Sequence, residues 1–355
     1  MKYGWTGWGA VLFFFGLASQ ATADTDWCYK YLQKGENDKA IEACTKELRS
    51  GKYDGEKEVI ASRLYYRGTA YFNKLGKGNY DKAIVDLTKA IGLVPDDVLA
   101  YNIRGLVYLW SGRYDRAIGD FTKLFSLYHM LSAQLPYFEN RGIAYWLKGD
   151  YEKALADFTA GITQGEGLGK SSFWIVQNDI TALYELRGDL YYSTGEYESA
   201  VSDYRKVVEL GTSRSYIHLR IWLALKKLSA ERAESFGEEL RSSARQDLWP
   251  GIVVKYYLGL DGTTEKKVLD QARHEDDDVS VTAKLCEAYY YLGEARLLQG
   301  DGKGAAAFFE KSAATEYRYR SSEKFIAKVL LAQMRRHKDS PSRRHGTGKI
   351  RRLPR

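Results

Sequence analysis

One pattern of apolar, small and polar positions recurs along the middle of the chain. It has the form aromatic-x2-Arg-Gly-x2-Tyr, then Gly, then Ala-x3-aromatic. The clearest copy consists of Tyr101, Arg104, Gly105, Tyr108, Gly112, Tyr114, Ala117 and Phe121. Further copies begin at Phe138 and Tyr184, and another contains Arg67 and a short insertion. This spacing places the apolar positions on one face of each of two consecutive helices. The pattern therefore predicts a series of helix pairs.

The small residues of the pattern indicate how each pair packs. Gly105 and Ala117 are small, so we expect the two helices of a pair to cross closely there, with Tyr108 and Phe121 filling the space toward neighbouring helices. Gly112 is placed to end the first helix, because a left-handed cap costs glycine little.

These segments resemble tetratricopeptide repeats, which are antiparallel helix pairs. Weaker copies flank them, one containing Cys28, Tyr31, Gly35, Ala40 and Cys44, the other containing Tyr289, Leu292, Gly293, Gly300, Ala305 and Phe309. A degenerate pair is predicted over Ser215–Leu228 and Ala230–Ala244, and a capping helix over roughly Glu316–Met334. The predicted fold is all-α, a right-handed superhelical solenoid of about six or seven helix pairs over residues 24–334.

The stretch QGEGLGKSS, Gln164 to Ser172, has the composition of a phosphate loop but not its spacing. The nucleotide-binding motif needs a glycine five residues before Gly169, and that position is Gln164. The preceding segment has the pattern of a helix rather than a buried strand. We therefore predict a loop inserted near residues 163–178 and no nucleotide site.

The N-terminus has the features of a cleaved secretory signal over residues 1–23. Lys2 precedes the apolar run Gly9–Ala18, and Ala21-Thr22-Ala23 fits a cleavage site. The run is about half of what a membrane anchor needs. No lipid-carrying cysteine motif precedes Cys28, and no other segment is apolar enough to span a membrane. We expect a soluble periplasmic or secreted protein.

An exported chain meets an oxidising environment, which permits disulfides. Cys28 and Cys44 occupy facing positions in the repeat frame of one helix pair, so a bond between them is favoured over two buried thiols. Cys286 remains, as a buried thiol or an intermolecular partner.

The net charge of +7 is concentrated at the C-terminus, and the mature body carries about −2. The tail, residues 335–355, is predicted to be disordered because it has little apolar content. It is either a solvated end or a site for anionic lipid, acidic wall polymers or an acidic protein face; nucleic acid ranks last for an exported protein. Its basic residues are Arg335, Arg336, Lys338, Arg343, Arg344, Lys349, Arg351, Arg352 and Arg355.

The first helices of stacked repeats line a concave groove, which we expect to bind another protein or a peptide. The predicted groove positions are Tyr65, Phe72, Asn73, Asn102, Leu109, Trp110, Glu139, Trp146, Glu185, Tyr192 and Tyr290. For Trp110 and Trp146, packing as ordinary core is an equal alternative. None of the positions that match the carboxylate-clamp lysine of chaperone-binding relatives is basic.

No catalytic, cofactor or metal motif stands out. His274 to Asp278 lacks a second histidine one turn on and is predicted to be an acidic loop. Segments of the last third, including RIWLALKKL, DLWPGIVVKYYLG and CEAYYYLGEARLLQGD, resemble the NlpI-type periplasmic adaptor lipoproteins. That resemblance implies a cell-envelope adaptor that gathers peptidoglycan hydrolases and proteases. The alternatives are a polymer- or membrane-binding module acting through the tail, and an enzyme or ligand-binding protein with an unrecognised pocket. Homodimerisation stays open.

Overall fold

The computed structural model describes residues 26–127, 134–168, 174–211, 216–243, 249–274, 281–315 and 322–338. Every regular element in these ranges is helical, as predicted. Contacts divide the chain into an N-terminal unit that ends at Asp179 and a C-terminal unit that begins at Ile180. The predicted signal, residues 1–23, lies outside the described residues.

The N-terminal unit consists of successive antiparallel helix pairs. Their helices are α1 Trp27–Gln33, α2 Asn37–Arg49, α3 Lys57–Asn73, α4 Lys77–Leu93, α5 Val98–Trp110, α6 Tyr114–Leu127, α7 Leu135–Lys148 and α8 Tyr151–Gly167. The two helices of each pair pack against each other, and successive pairs pack through the contacts of α2 with α3, α4 with α5 and α6 with α7. The predicted tetratricopeptide architecture is thereby confirmed.

The C-terminal unit continues the series less regularly. Its helices are α9 Trp174–Thr194, which starts before the unit boundary, α10 Tyr197–Glu209, α11 Ile217–Leu228, α12 Ala230–Ser235, α13 Gly237–Ser243, α14 Gly251–Tyr257, α15 Glu265–Ala272, α16 Val281–Leu298, α17 Gly302–Ala314 and α18 Ser322–Lys338. The helix predicted over Ala230–Ala244 is broken into two at Phe236. The predicted capping helix is present as α18 and ends later than predicted, at Lys338.

Two other predicted boundaries are corrected. The loop expected near residues 163–178 is shorter, because α8 continues to Gly167 and α9 begins at Trp174. The tail expected to be disordered from Arg335 is helical as far as Lys338, and the remainder lies beyond the described residues. Among the helices that the structure describes, none has both the length and the apolar content that crossing a membrane requires.

The glycine of each repeat is where the paired helices touch. A methyl group added at Gly142 would lie 2.4 Å from Cε1 of Phe158, and one at Gly105 would lie 2.8 Å from Cε1 of Phe121. Real side chains essentially never approach so closely, so only glycine admits the aromatic ring. The predicted close crossing of the paired helices is confirmed, but Phe121, expected to fill the space toward neighbouring helices, instead packs on Gly105 within its own pair. Gly112 has a φ of 77°, as its predicted role in ending α5 requires.

The arginine that directly precedes the crossing glycine of a repeat joins three helices. Arg104 on α5 donates two hydrogen bonds of 2.8 Å to Asp120 on α6, the second helix of its pair. Its Nη1 also donates to Thr88 on α4 of the preceding pair, at 3.1 Å. Arg67 and Arg141 repeat this arrangement with their own aspartate and threonine partners. A bidentate contact fixes direction as well as distance, so the arginines set the register between pairs.

The predicted disulfide between Cys28 and Cys44 is present and joins α1 to α2, with Cα atoms 4.9 Å apart. Both residues are fully buried.

Because the bond restricts the unfolded chain, replacing both cysteines by alanine is expected to lower the free energy of unfolding of the N-terminal unit by about 3 kcal/mol. Urea titration followed by circular dichroism measures this. A reducing agent should destabilise the natural chain and leave the variant unchanged; equal stability of the two proteins would contradict the prediction.

Candidate functional site

The structure brings part of the predicted groove to the surface and buries the rest. In the N-terminal unit Phe72, Leu109, Glu139 and Trp146 are each at most 4% exposed. The expectation that they present surface to a partner is therefore wrong. They lie on the first helices as predicted, but on the sides that face protein. For Trp146 the alternative of a buried packing residue is the correct one.

Four predicted residues of this unit keep partial exposure: Tyr65, Asn73, Asn102 and Trp110. Tyr65 and Trp110 pack one side of their rings against the buried core of α3, α4 and α5 and keep some surface accessible. Rings held in this way present area to a partner at little cost in conformational entropy. Trp110 therefore packs on the core, as one alternative expects, and keeps exposed surface, as the other expects.

Three of these residues, Tyr65, Asn102 and Trp110, lie on α3 and α5 together with two partly exposed neighbours that sequence inspection missed. We call Tyr65, Tyr66, Asn102, Leu106 and Trp110 the aromatic face. Tyr65 and Tyr66 lie edge to face with ring centroids 5.5 Å apart. Asn102, Leu106 and Trp110 recur at helical spacing on α5, which lies against α3. The i, i+4 spacing on α5 is the signal that would have added Leu106.

The polar groups of the aromatic face suit hydrogen bonding. Burial raises the pKa of Tyr66 to about 12 and raises the pKa of Tyr65 further, so both phenols stay neutral donors at physiological pH. The Oδ1 atom of Asn102 is buried, and no donor among the described residues reaches it. A buried acceptor that has no donor lowers the stability of the fold by about 1–3 kcal/mol.

The predicted groove residues of the C-terminal unit are covered by the chain itself. Tyr192 on α9 is 5% exposed and donates a 2.7 Å hydrogen bond to Oε2 of Glu294 on α16. Gln333 on α18 donates to the carbonyl oxygen of Ser193, at 2.8 Å. Tyr290 on α16 is 2% exposed. The expectation of an open groove in this unit is wrong, since α16 and α18 occupy the side of α9 that the repeat frame leaves for a partner.

A buried charged cluster holds these helices together. Arg220 on α11 donates through Nη1 to Glu185, at 2.8 Å, and to Asp189, at 3.0 Å, both on α9. Its Nη2 donates to Ser322, at 2.9 Å, and to Glu323, both in the first turn of α18. We call these five residues the Arg220 cluster. Glu185 was predicted as a groove residue, but here it is an ion-pair partner.

Tyrosine hydroxyls extend the cluster to α10 and α16. Tyr204 donates to the second oxygen of Asp189, at 2.7 Å. Tyr291 on α16 donates to Glu323, at 3.2 Å, and its ring stacks on Tyr216 with centroids 5.1 Å apart. Tyr216 in turn donates to Glu287 on α16.

Burial is the main cause of the raised pKa of two carboxyl groups in and beside this cluster. It raises the pKa of Asp189 to about 7, although the Arg220 charge opposes the shift. It raises the pKa of Glu287 to about 8, against hydrogen bonds from Trp249 and Tyr216. Groups perturbed in this way mark functional or switching positions as well as structural ones.

The remaining candidate chemistry gives no further site. Cys286 is a buried free thiol whose sulfur lies 3.5 Å from the hydroxyl of Ser312. Within the described ranges, no group of three or more His, Cys, Asp or Glu side chains is placed to hold a metal ion. The acidic residues that follow His274 lie outside those ranges. Of the basic tail, Arg335, Arg336 and Lys338 lie on α18, and Arg335 pairs with Glu310 at 3.2 Å.

Comparison with known proteins agrees with the repeat architecture. Models of the tetratricopeptide repeat match residues 73–124 and 181–210. No curated protein matches the sequence.

Three similar solved structures illustrate the fold. PilW, described as a widely conserved type IV pilus biogenesis factor, has a TM-score of 0.50 and 16% identity, over 68% of this chain and 100% of that one. A tetratricopeptide repeat protein from Parabacteroides merdae has a TM-score of 0.49 and 14% identity, over 85% and 96%. Yeast Tom70 has a TM-score of 0.45 and 18% identity, over 91% and 67%. Similarity at this level concerns the fold alone.

Proposed function

We propose that this tetratricopeptide-repeat chain is a non-enzymatic scaffold that binds an extended segment of another protein along the aromatic face of its N-terminal unit. The observation that carries the proposal is the partial exposure of the Tyr65 and Trp110 rings, which pack against the buried core of α3, α4 and α5. Asn102 lies on the same helix as Trp110 and is also partly exposed. An apolar side chain of the partner would pack on the indole ring.

The chemistry of the aromatic face defines the kind of segment it would take. None of its five residues is charged, although the carboxylate of Asp97 acts on Tyr65, and Asp26 and Arg63 act on Tyr66 with opposite charges. A partner segment with apolar or aromatic side chains and free backbone donors fits this surface. Aromatic anchors of this kind commonly dominate binding energy at protein interfaces.

Replacing Trp110 by alanine is expected to reduce partner recovery from a cell-envelope extract at least about tenfold, since a truncated aromatic anchor typically costs 2 kcal/mol or more. Quantitative pull-down with the purified mature chain measures this. Trp27→Ala is the matched control, because Trp27 lies on α1 outside the aromatic face and is 53% exposed. Equal loss in both variants, or no loss in Trp110→Ala, would contradict the proposal.

We place this scaffold in the bacterial cell envelope on the strength of the signal-like N-terminus. The NlpI-like segments of the last third favour a more specific role, the recruitment of peptidoglycan hydrolases or proteases. Crosslinking in the native envelope followed by identification of the partner tests this role directly. Recovery of cytoplasmic partners alone would contradict this role.

A second candidate function is binding to anionic membranes or wall polymers through the basic tail. The charge of residues 335–355 supports it. Because α18 continues to Lys338, the truncation that tests this function should remove residues 339–355 only. Loss of all binding on that truncation, with the helical units intact, would favour the tail over the aromatic face.

A further inference from the structure

Three carboxyl groups meet one buried guanidinium where α18 begins. Glu185, Asp189 and Glu323 all pair with Arg220. Asp189 is fully buried, and the side chains of Glu323 and Arg220 are 4% and 5% exposed. Glu287, which is partly buried, adds a fourth carboxyl beside Tyr216. No second cation among the described residues forms an ion pair with Asp189 or Glu287.

The groups around these carboxyls come from every helix packed against them. Asp189 faces Glu185 on its own helix, Tyr204 on α10, Arg220 on α11, Tyr290 on α16, and Glu323 on α18. Glu287 faces Trp249 before α14, Tyr216 and Arg220 from the α11 segment, Tyr291 on α16, and Glu323 on α18. Like charges that are buried together cannot all ionise at neutral pH. The folded cluster therefore retains protons that an unfolded or opened chain releases.

These contacts include the principal polar attachment of α18. Ser322 and Glu323 bind Arg220 at the first turn of the helix, and Gln333 binds the α9 backbone three turns later. The rest of α18 packs on α16 and α17. Weakening of the Arg220 cluster thus acts on the end of α18 that covers α9.

We propose that the Arg220 cluster is a proton-dependent latch, which holds α18 over the groove-facing side of α9 while it retains protons and loosens when they are lost. The carboxyls of the closed state titrate higher than ordinary carboxyls, so closure takes up protons and opening releases them. The latch is tightest at acidic pH and weakens as the pH rises through the range of about 7 to 8 in which Asp189 and Glu287 ionise. Opening would uncover Glu185, a residue that the repeat frame assigns to a groove.

Hydrogen–deuterium exchange of the α18 amides tests the latch in the full-length mature chain, after correction for the intrinsic pH dependence of exchange. Between pH 6 and pH 9 the opening equilibrium of α18 is expected to rise at least about a hundredfold, because two groups with raised pKa values lose protons and each unit of pKa difference corresponds to a factor of ten. In Glu287→Gln the rise should shrink to about tenfold, because Asp189 still loses its proton in this range. Both donors to Glu287 reach the same oxygen, Oε2, which the amide retains.

Asp189→Asn is the second test variant, since its amide can accept from Arg220 while Tyr204 rotates its hydroxyl to accept from the amide nitrogen. In this variant the opening equilibrium of α18 should also rise less between pH 6 and pH 9 than in the natural chain. Glu310→Gln is the matched control: it removes an exposed carboxylate that also contacts α18, through Arg335, and should keep the natural pH dependence. A flat profile in the natural chain, an unchanged profile in Glu287→Gln, or flattening in Glu310→Gln would each overturn the proposal.

Discussion

Replacing Arg220 by alanine is expected to lower the free energy of unfolding of the C-terminal unit by about 3–5 kcal/mol. The substitution leaves Asp189 and Glu323 without the guanidinium that compensates their charge. Both are buried, so water cannot replace it. The same substitution removes the hydrogen bonds that join α9, α11 and α18. The loss should be larger at pH 8 than at pH 5, where carboxyls with a raised pKa take up protons.

Urea unfolding followed by tryptophan fluorescence measures this effect. Arg232→Ala is the matched control, because Arg232 forms an ion pair with Glu198 in which the side chains are 45% and 64% exposed. Exposed pairs contribute little, so the control should change stability by less than about 1 kcal/mol. A loss for Arg220→Ala no larger than that of the control would show that the cluster does not hold the unit together.

Replacing Phe158 by alanine is expected to destabilise the N-terminal unit by about 3–5 kcal/mol. The ring is fully buried and lies against the backbone of α7 at Gly142. Its removal leaves a cavity between the two helices of the pair. Chemical unfolding of the natural and variant chains measures the loss, and a change below about 1 kcal/mol would contradict the packing described here.

A second substitution, Gly142→Ala, tests the same contact, because its expected effect on stability changes sign when Phe158 is replaced. Gly142→Ala alone should destabilise the natural chain, because the new methyl group meets the ring of Phe158. In the Phe158→Ala background the same substitution should be neutral or stabilising, since alanine favours a helix by up to about 1 kcal/mol over glycine. Gly119→Ala on α6 is the control. A methyl group there meets nothing within 4 Å and should not destabilise in either background.

The sequence pattern predicted those parts of the fold that depend on residues close together in the chain. The close crossing at the repeat glycine, the left-handed cap at Gly112 and the pairing of Cys28 with Cys44 each lie within a single helix pair. The loop predicted near residues 163–178 is too long, because glycines favour a break in a helix although α8 includes Gly165 and Gly167.

The covering of α9 by α16 and α18 could not be predicted in the same way. The contact between Arg220 and Glu323 spans 103 residues, and no local periodicity records such a pairing. One signal was available: Arg220 interrupts the apolar run of α11, IHLRIWLAL, and a charge in a buried helix needs a partner. The repeat frame placed Glu185 and Tyr192 correctly on the first helix. It could not show that the chain's own C-terminal helices cover that side.

Site-specific photocrosslinking in the native envelope tests the scaffold proposal most directly. A photoreactive residue at Asn102 lies in the aromatic face, and one at Gly119 lies exposed on α6, the second helix of the same pair. The account predicts that the chain carrying the probe at Asn102 crosslinks to a partner protein and that the chain carrying it at Gly119 does not. Crosslinks from Gly119 with none from Asn102 would contradict binding at the aromatic face.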